Sequence, residues 1–138
     1  MADPEDAPPG FVHVLRAPFV NHVGPILQAI ENEPGTMRLG LRIAEVHCNS
    51  IGIMHGGMIA TICDSAMARA LFTKLQRRTV TLRMALEYLD PILKGDWLEA
   101  HARLTTEDGE VAHTECRVMV GDHMRARATG VFRLLRKV

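Results

Sequence analysis

The sequence predicts an α+β fold, in which one antiparallel sheet curls around a single long helix. Residues 57–74 lack an internal Gly or Pro and form a run too long for a strand, which indicates a helix. After residue 78, apolar and polar side chains alternate in segments that are joined by short turns, and short turns join antiparallel neighbours. Because a sheet with one apolar face needs a cover for that face, the long helix is predicted to lie against it.

Length and charge limit the classes of protein that fit. With 138 residues the chain has room for one domain, which we expect over residues 11–138. Residues 1–10 contain three prolines and a glycine and are predicted to be a disordered tail. Sixteen basic residues balance sixteen acidic ones, so nothing favours nucleic acid or an anionic membrane as a partner.

The cysteines and the first residues predict a cellular compartment. Cys48, Cys63 and Cys116 are widely spaced and odd in number, which predicts neither a disulfide framework nor a zinc knuckle. The first ten residues are acidic and rich in proline, unlike a signal peptide, and no apolar run is long enough for a membrane helix. We therefore expect a cytoplasmic protein.

Two elements are predicted ahead of the long helix. Residues 18–30 place apolar side chains near helical spacing, which predicts a short amphipathic helix that Gly24-Pro25 can break into two turns. Residues 36–47 alternate apolar and polar side chains, which predicts a half-buried strand.

The long helix and the strands after it complete the predicted core. Apolar residues nearly encircle the axis of residues 57–74, so we expect other elements on most sides of that helix. Four alternating segments follow, at residues 79–88, 98–104, 112–120 and 124–134. They are separated by turn signals at residues 91–95, at Asp108-Gly109 and at Gly121-Asp122.

The loop before the long helix carries groups that can bind a carbonyl oxygen. Its sequence is Asn49-Ser50-Ile51-Gly52-Ile53-Met54-His55-Gly56-Gly57. The backbone N–H groups of Gly56 and Gly57 are among the donors that the first turn of a helix leaves unpaired, and the missing side chains allow a ligand to approach closely. Such donors can form an oxyanion hole. Asn49 adds an amide that could bind the same carbonyl or orient a water, and His55 could act directly or brace the loop.

A single acid lies in the long apolar run that follows. Between Glu45 and Arg69 the only Asp, Glu, Lys or Arg is Asp64. Burying that carboxylate costs several kcal/mol unless partners relieve it, which suggests a function. The residues three, four and seven positions away are mostly small (Gly57, Ala60, Thr61, Met67, Ala68), and we expect them to leave room for another chain or a substrate. A carboxylate in such a cleft could be a general base on water or a nucleophile.

These residues together resemble a known family. The pattern Asn-x-x-Gly-x-x-His-Gly-Gly, then Asp inside a helix, then Tyr88-Leu89-Asp90-Pro91 and Gly95, is similar to the hotdog-fold thioesterases of the phenylacetate-degradation (PaaI-like) type. The similarity spans about residues 40–135. It implies a sheet wrapped around the helix, homodimers often paired into homotetramers, and hydrolysis of acyl-coenzyme A thioesters without a metal or a cofactor.

The resemblance also implies roles for individual residues. Asp64 corresponds to the catalytic acid, which reaches a thioester across the dimer interface toward Asn49 and Gly56 of the other subunit. The Gly56 amide would hold the thioester carbonyl, Asn49 would orient the thioester or the water, and His55 would support the loop. Thr81 falls where the family has a Ser or Thr that positions water, and the substrate-binding residues would be Gly57 and Tyr88, the latter near the coenzyme A tail.

Simpler explanations exist for each of these residues. His55-Gly56-Gly57 alone is typical of a tight turn, Asp64 alone could be a paired buried acid, and Thr81 could be an ordinary strand residue. Cys63 in apolar surroundings behaves as a small hydrophobe. His47, Cys48 and His55 do not match a zinc pattern, so no metal site is predicted. Several basic residues could meet the phosphates of coenzyme A: Arg77, Arg78, Lys94, Arg125, Arg127 and Arg133.

Three functions are compatible with the sequence. The first is an acyl-CoA thioesterase that uses Asp64. The second is a related hotdog enzyme that hydrates or dehydrates acyl thioesters, and the third is a non-catalytic module that binds acyl-CoA. Release of free thiol distinguishes the first from the other two.

Overall fold

A computed structural model describes residues 7–136 and shows one antiparallel sheet wrapped around one long helix, as the sequence predicts. The elements in chain order are β1 (Phe11–Val12), α1 (Pro18–Val23), β2 (Leu27–Ala29), β3 (Thr36–Arg42), α2 (Gly56–Leu75), β4 (Thr79–Tyr88), β5 (Trp97–Glu107), β6 (Val111–Val120) and β7 (His123–Leu134). A 3-10 turn covers Glu45–His47. The predicted α+β class is confirmed.

The order of the seven strands leaves β4 at one edge of the sheet. The order is β1-β2-β3-β5-β6-β7-β4, and every neighbouring pair is antiparallel. The strand that follows α2 therefore crosses to the far side of the sheet and, within residues 7–136, pairs only with β7. One side of its backbone is unpaired within the described residues, which leaves N–H and C=O groups available to another strand.

The predicted alternation is confirmed in the strands that face α2. In β3, Met37, Leu39 and Leu41 are buried. A three-residue turn that contains Asp108-Gly109 joins β5 to β6, and the two-residue turn Gly121-Asp122 joins β6 to β7. The inner faces of β5, β6 and β7 contribute Leu98, Ala100, Ala102, Ala112, Thr114, Cys116, Val118, Ala126, Ala128, Phe132 and Leu134. Burial of these side chains against α2 supplies the apolar core.

Helix α2 is less enclosed than its sequence predicts. It buries Met58, Ile59, Ile62, Cys63, Ala66, Met67, Ala70 and Leu71. The opposite stripe, which we call the open stripe, stays half-buried or exposed and consists of Gly57, Ala60, Thr61, Asp64, Ala68 and Phe72. Met67 therefore belongs to the core and not to the room beside Asp64. The expectation that elements cover most sides of α2 is wrong for the single chain.

The segment before β3 also differs from the prediction. The helix predicted over residues 18–30 ends at Val23, because Pro25 disfavours the helical conformation at Gly24 and cannot donate a backbone N–H. Residues Leu27–Ala29 form β2 instead, and the short β1 pairs with it. The predicted strand over residues 36–47 ends at Arg42 and is followed by the 3-10 turn.

The predicted tail lies mostly outside the described residues. Residues 1–6 are not among them, and the disorder of residues 1–10 stays a prediction. The carbonyl of Gly10 accepts a hydrogen bond from the Ile30 N–H at 2.8 Å, so residue 10 is joined to the chain that leaves β2.

Candidate active site

The loop before α2 is closed by the side chain of Asn49. Its Oδ1 accepts hydrogen bonds from the N–H groups of Ile51 at 3.1 Å and Ile53 at 3.2 Å. The backbone N–H of Asn49 also donates to the Ile53 carbonyl at 2.8 Å. The side chain is exposed, and its Nδ2 donates to no group within residues 7–136. The amide NH₂ is therefore the part of Asn49 that can meet a substrate.

His55 caps α2 and uses one of the two glycine donors. The Gly57 N–H donates to His55 Nδ1 at 2.8 Å, as expected of a helix N-cap. The Gly56 N–H, in contrast, has no acceptor within the described part of the chain. This differs from the expectation that both N–H groups are free, and it shows that His55 braces the loop.

Tyr88 closes over the same glycine from β4. Its hydroxyl donates to the Gly56 carbonyl at 3.0 Å, although 32 residues separate the two in the chain. A Cβ atom on Gly56 would lie 3.1 Å from the Tyr88 hydroxyl oxygen and 3.2 Å from Cζ. Only glycine fits there without moving the ring, so Tyr88 fixes the start of α2.

A cleft of about 440 Å³ lies beside this junction. Gly56, Gly57 and Tyr88 line it. The rest of its wall is mainly apolar and consists of Ile53, Met54, Ile59, Leu89, Asp90, Pro91 and Ile92. An apolar cleft of this size with a few polar groups is typical of small-ligand sites.

Asp64 lies elsewhere and meets Thr81. The Thr81 hydroxyl donates to Asp64 Oδ1 at 2.5 Å, from β4 to the open stripe of α2. The carboxylate is half-buried in the single chain, so the full desolvation expected from the sequence is not reached there. The structure does bring Thr81 to the predicted acid, which a simple polar position on a strand would not require.

The predicted site residues thus fall into two separate groups. One contains Asn49, His55, Gly56, Gly57 and Tyr88, at the start of α2. The other contains Asp64 and Thr81, two helical turns further along. Eight positions on an α-helix correspond to about 12 Å along its axis, so one chain does not place its own Asp64 against its own Gly56.

His47 is bonded to the first group, because its carbonyl accepts a hydrogen bond from the His55 N–H. The sequence predicted no function for His47. It is 2 % exposed, and both ring nitrogens are bonded to backbone groups. Burial lowers the pKa of His47 from its ordinary value, while the hydrogen bond to the Val23 carbonyl opposes that change. The only sequence signal was a histidine two positions before Asn49, between a buried strand and the loop.

Three of the basic residues that could meet phosphates are bonded within the chain. Arg127 forms an ion pair with Glu87, which raises the pKa of Arg127 and lowers the pKa of Glu87. Arg77 donates to the carbonyls of Leu135 and Gly109, at 2.7 Å in each case. Arg125 donates from Nη1 to the Pro91 carbonyl at 3.3 Å. These contacts give all three side chains a structural function.

Among residues 7–136, no three His, Cys, Asp and Glu side chains are grouped as a metal ion would need. No helix in the described part of the chain is both long and apolar enough to span a membrane.

Comparison with known proteins identifies the family. Residues 51–126, more than half of the chain, match the model of the thioesterase superfamily. The chain belongs to the thioesterase superfamily. A protein of Pseudomonas aeruginosa that is named as a candidate esterase, PA0474, is 31% identical over 94% of this chain and 98% of its own length. The family makes the chain a thioester hydrolase, and the resemblance read from the sequence is confirmed.

Other relatives agree with this family. Human acyl-coenzyme A thioesterase 13 is 29% identical over 59% of this chain and 59% of its own length. A variant of the phenylacetic acid degradation protein PaaI from Thermus thermophilus superposes with a TM-score of 0.78 and 25% identity, over 86% of this chain and all of that one. The protein smu.793 of Streptococcus mutans, solved with acetyl CoA, has a TM-score of 0.79 and 21% identity over 91% and 97% of the two chains. These structures confirm the hotdog fold.

Proposed function

We propose that this thioesterase hydrolyses an acyl-coenzyme A to a free acid and coenzyme A, in a homodimer whose two chains share each active site. The Gly56 N–H of one chain holds the thioester carbonyl, and Asp64 of the other acts as general base or nucleophile. The name of human acyl-coenzyme A thioesterase 13 and the acetyl CoA bound to smu.793 support coenzyme A as part of the substrate.

The separation of the two groups of residues is the observation that supports a site shared between two chains. Hydrolysis needs the Asp64 carboxylate close to the carbonyl carbon of the thioester whose oxygen the oxyanion donor binds. A carboxylate that acts as a base must also lie within hydrogen-bond reach of the attacking water. Asp64 and Gly56 lie about 12 Å apart along the axis of α2, given the rise of 1.5 Å per residue. A second copy of the chain supplies the missing half of each site.

The surface around Asp64 supports pairing of two chains. Strand β4 is an edge of the sheet, and its Val80 and Leu82 side chains are 49% and 52% exposed. Phe72, on the open stripe of α2, is 46% exposed. A second β4 beside the first would continue the sheet and cover these apolar side chains, and it would also desolvate Asp64. A homotetramer made of two such dimers keeps every shared site.

The reaction follows from the groups at the site. The Gly56 N–H and the Asn49 NH₂ of the partner subunit donate to the thioester oxygen, and they stabilise the negative charge that forms on it. The Asp64 carboxylate either takes a proton from water, which attacks the carbonyl carbon, or attacks that carbon itself. The bond between carbon and sulfur then breaks, and coenzyme A leaves as the thiolate. In the second route water afterwards hydrolyses the acyl-Asp64 anhydride.

Thiol release from a panel of acyl-CoAs tests this proposal. We expect the wild-type protein to release free thiol from at least one aromatic, medium-chain or long-chain acyl-CoA. Asp64→Asn keeps the shape and the contact with Thr81 but removes the base, and it should lower kcat by about a thousandfold. Saturable binding of acyl-CoA without thiol release, or hydration of an enoyl-CoA instead, would contradict the proposal.

The expected compartment follows from the cysteines. Cys48, Cys63 and Cys116 all have free thiols. Free thiols persist in a reducing environment, so we place the reaction in the cytoplasm.

A further inference from the structure

The buried ring of His47 connects three segments of the chain. Its Nδ1 accepts a hydrogen bond from the Ala44 N–H at 2.9 Å, and its Nε2 lies 2.5 Å from the Val23 carbonyl oxygen. Because Nδ1 accepts, the proton of the neutral ring is on Nε2, which donates to Val23. The ring thus joins the 3-10 turn to the end of α1.

The backbone of the same residue holds the loop of the proposed site. The His47 carbonyl accepts from the His55 N–H at 2.8 Å, and His55 Nδ1 in turn accepts from the Gly57 N–H at 2.8 Å. Gly56 lies between these two bonded residues. The direction of its free N–H is therefore set by His55, and the place of His55 is set by His47.

We propose that His47 is a positioning residue for the hydrolysis, which fixes the oxyanion donor Gly56 through His55. This inference rests on the proposed function, since it states that kcat depends on the direction of the Gly56 N–H. The bond from Ala44 to Nδ1 is the decisive one, because it shapes the turn whose last carbonyl receives the His55 N–H.

The arrangement requires a neutral ring. A proton on Nδ1 would turn the acceptor into a donor that faces the Ala44 N–H. The titratable groups on the segments joined by the ring are His22 on α1, Glu45 on the turn, Cys48 directly after it and His55 on the loop. None of these side chains forms a hydrogen bond or an ion pair with the ring, so backbone groups alone select the tautomer.

Two substitutions separate the two bonds of the ring. An Asn side chain places its carbonyl near the position of Nδ1, so His47→Asn keeps the acceptor for Ala44 and loses the donor to Val23. A Gln side chain reaches as far as Nε2, so His47→Gln keeps the donor and loses the acceptor. Thr114→Val is the matched control, because it removes another buried hydrogen bond, from Thr114 to the Gly130 carbonyl, away from the loop.

The test measures kcat, KM and hydrogen exchange of the His55 and Gly57 amides in folded protein. For His47→Gln we expect kcat to fall about tenfold with KM within about twofold, since a misplaced donor affects the transition state more than binding. We expect faster exchange of both amides. His47→Asn should stay within about threefold of the wild-type kcat, and Thr114→Val should lose stability without a change in kcat or in these two amides.

Each outcome decides the inference. It is overturned if His47→Gln keeps the wild-type kcat and amide exchange while its stability falls, or if Thr114→Val lowers kcat to the same extent. A wild-type protein that releases no thiol from any acyl-CoA would instead refute the proposed function. In that case faster exchange in His47→Gln alone would still confirm the connection between His47 and the loop.

Discussion

The Thr81 hydroxyl donates to Asp64 Oδ1 at 2.5 Å and so joins the edge strand of the sheet to the open stripe of α2. Asp64 accepts no other hydrogen bond within the described residues. One carboxylate oxygen is therefore held in place, while Oδ2 is left for a water or a thioester. The bond also connects the proposed catalytic acid to the strand that we propose as the dimer edge.

Removal of the Thr81 hydroxyl should reduce turnover more than stability. In Thr81→Val the carboxylate loses its orientation, and we expect kcat to fall about tenfold, as is common for a misplaced catalytic group. Thr81→Ser restores the hydroxyl and should remain near the wild-type kcat. Steady-state thiol release measures both variants. An unchanged kcat in Thr81→Val would assign Thr81 to the sheet alone.

Asn49 closes the loop and is proposed to bind the substrate, and one pair of variants separates these two functions. Asn49→Asp keeps an oxygen that accepts from Ile51 and Ile53, so the loop should stay closed, but it loses the NH₂ donor. We expect kcat to fall about a hundredfold with unchanged exchange of the Ile53 amide. Asn49→Ala should lower kcat and also open the loop. Wild-type turnover in Asn49→Asp would show that the NH₂ does not meet the substrate.

The contact between Gly56 and Tyr88 predicts that a substitution of Tyr88 restores the stability that Gly56→Ala loses. Gly56→Ala places a methyl group 3.1 Å from the Tyr88 hydroxyl oxygen, so the ring or the start of α2 must move. We expect a loss of about 1–3 kcal/mol in the free energy of unfolding, typical of overpacking, together with lower kcat. Tyr88→Ala combined with Gly56→Ala should recover most of that stability. Denaturant unfolding of the single and double variants measures the coupling.

The buried His47 ring predicts a pH dependence of stability. Burial lowers the pKa of His47 in the folded state from the ordinary value of 6.5, so the unfolded chain binds a proton more readily. The stability from the neutral ring is full above the ordinary value and is lost as pH falls toward the folded pKa. The free energy of unfolding should decrease there by at most about 1.4 kcal/mol per pH unit for this one group. His47→Asn should lack this component of the slope.

The strands around α2 could be predicted because each has one buried face. Leu98, Val118 and Phe132 belong to alternating patterns, and a shift by one residue would have exposed them. Residues 18–30 could not be assigned in the same way, since the apolar residues of α1 and β2 together imitate helical spacing. The decisive feature was Pro25, which the sequence marks only as a possible break.

The sequence names candidate site residues, whose roles stay predictions, but it does not show how these residues are arranged in space. Local spacing singled out Asn49, Gly56 and Asp64 as candidates, because their proposed chemistry depends on a loop and one helix. Tyr88 was expected only near the coenzyme A tail, and no function was expected of His47. Their hydrogen bonds to Gly56 and Val23 join residues that are far apart in sequence and meet only after folding. The openness of the stripe around Asp64 likewise depends on where the strands end.

Subunit complementation tests the shared site most directly. Asp64→Asn and Asn49→Asp are each expected to be nearly inactive, and they alter opposite halves of the site. When the two variants are mixed with exchange of subunits, half of the dimers are mixed, and each mixed dimer has one intact site. We therefore predict recovery of about a quarter of the wild-type activity, as the two-fold symmetry of a dimer requires. Activity that stays at the level of the separate variants, although subunits exchange, would contradict a site shared between chains.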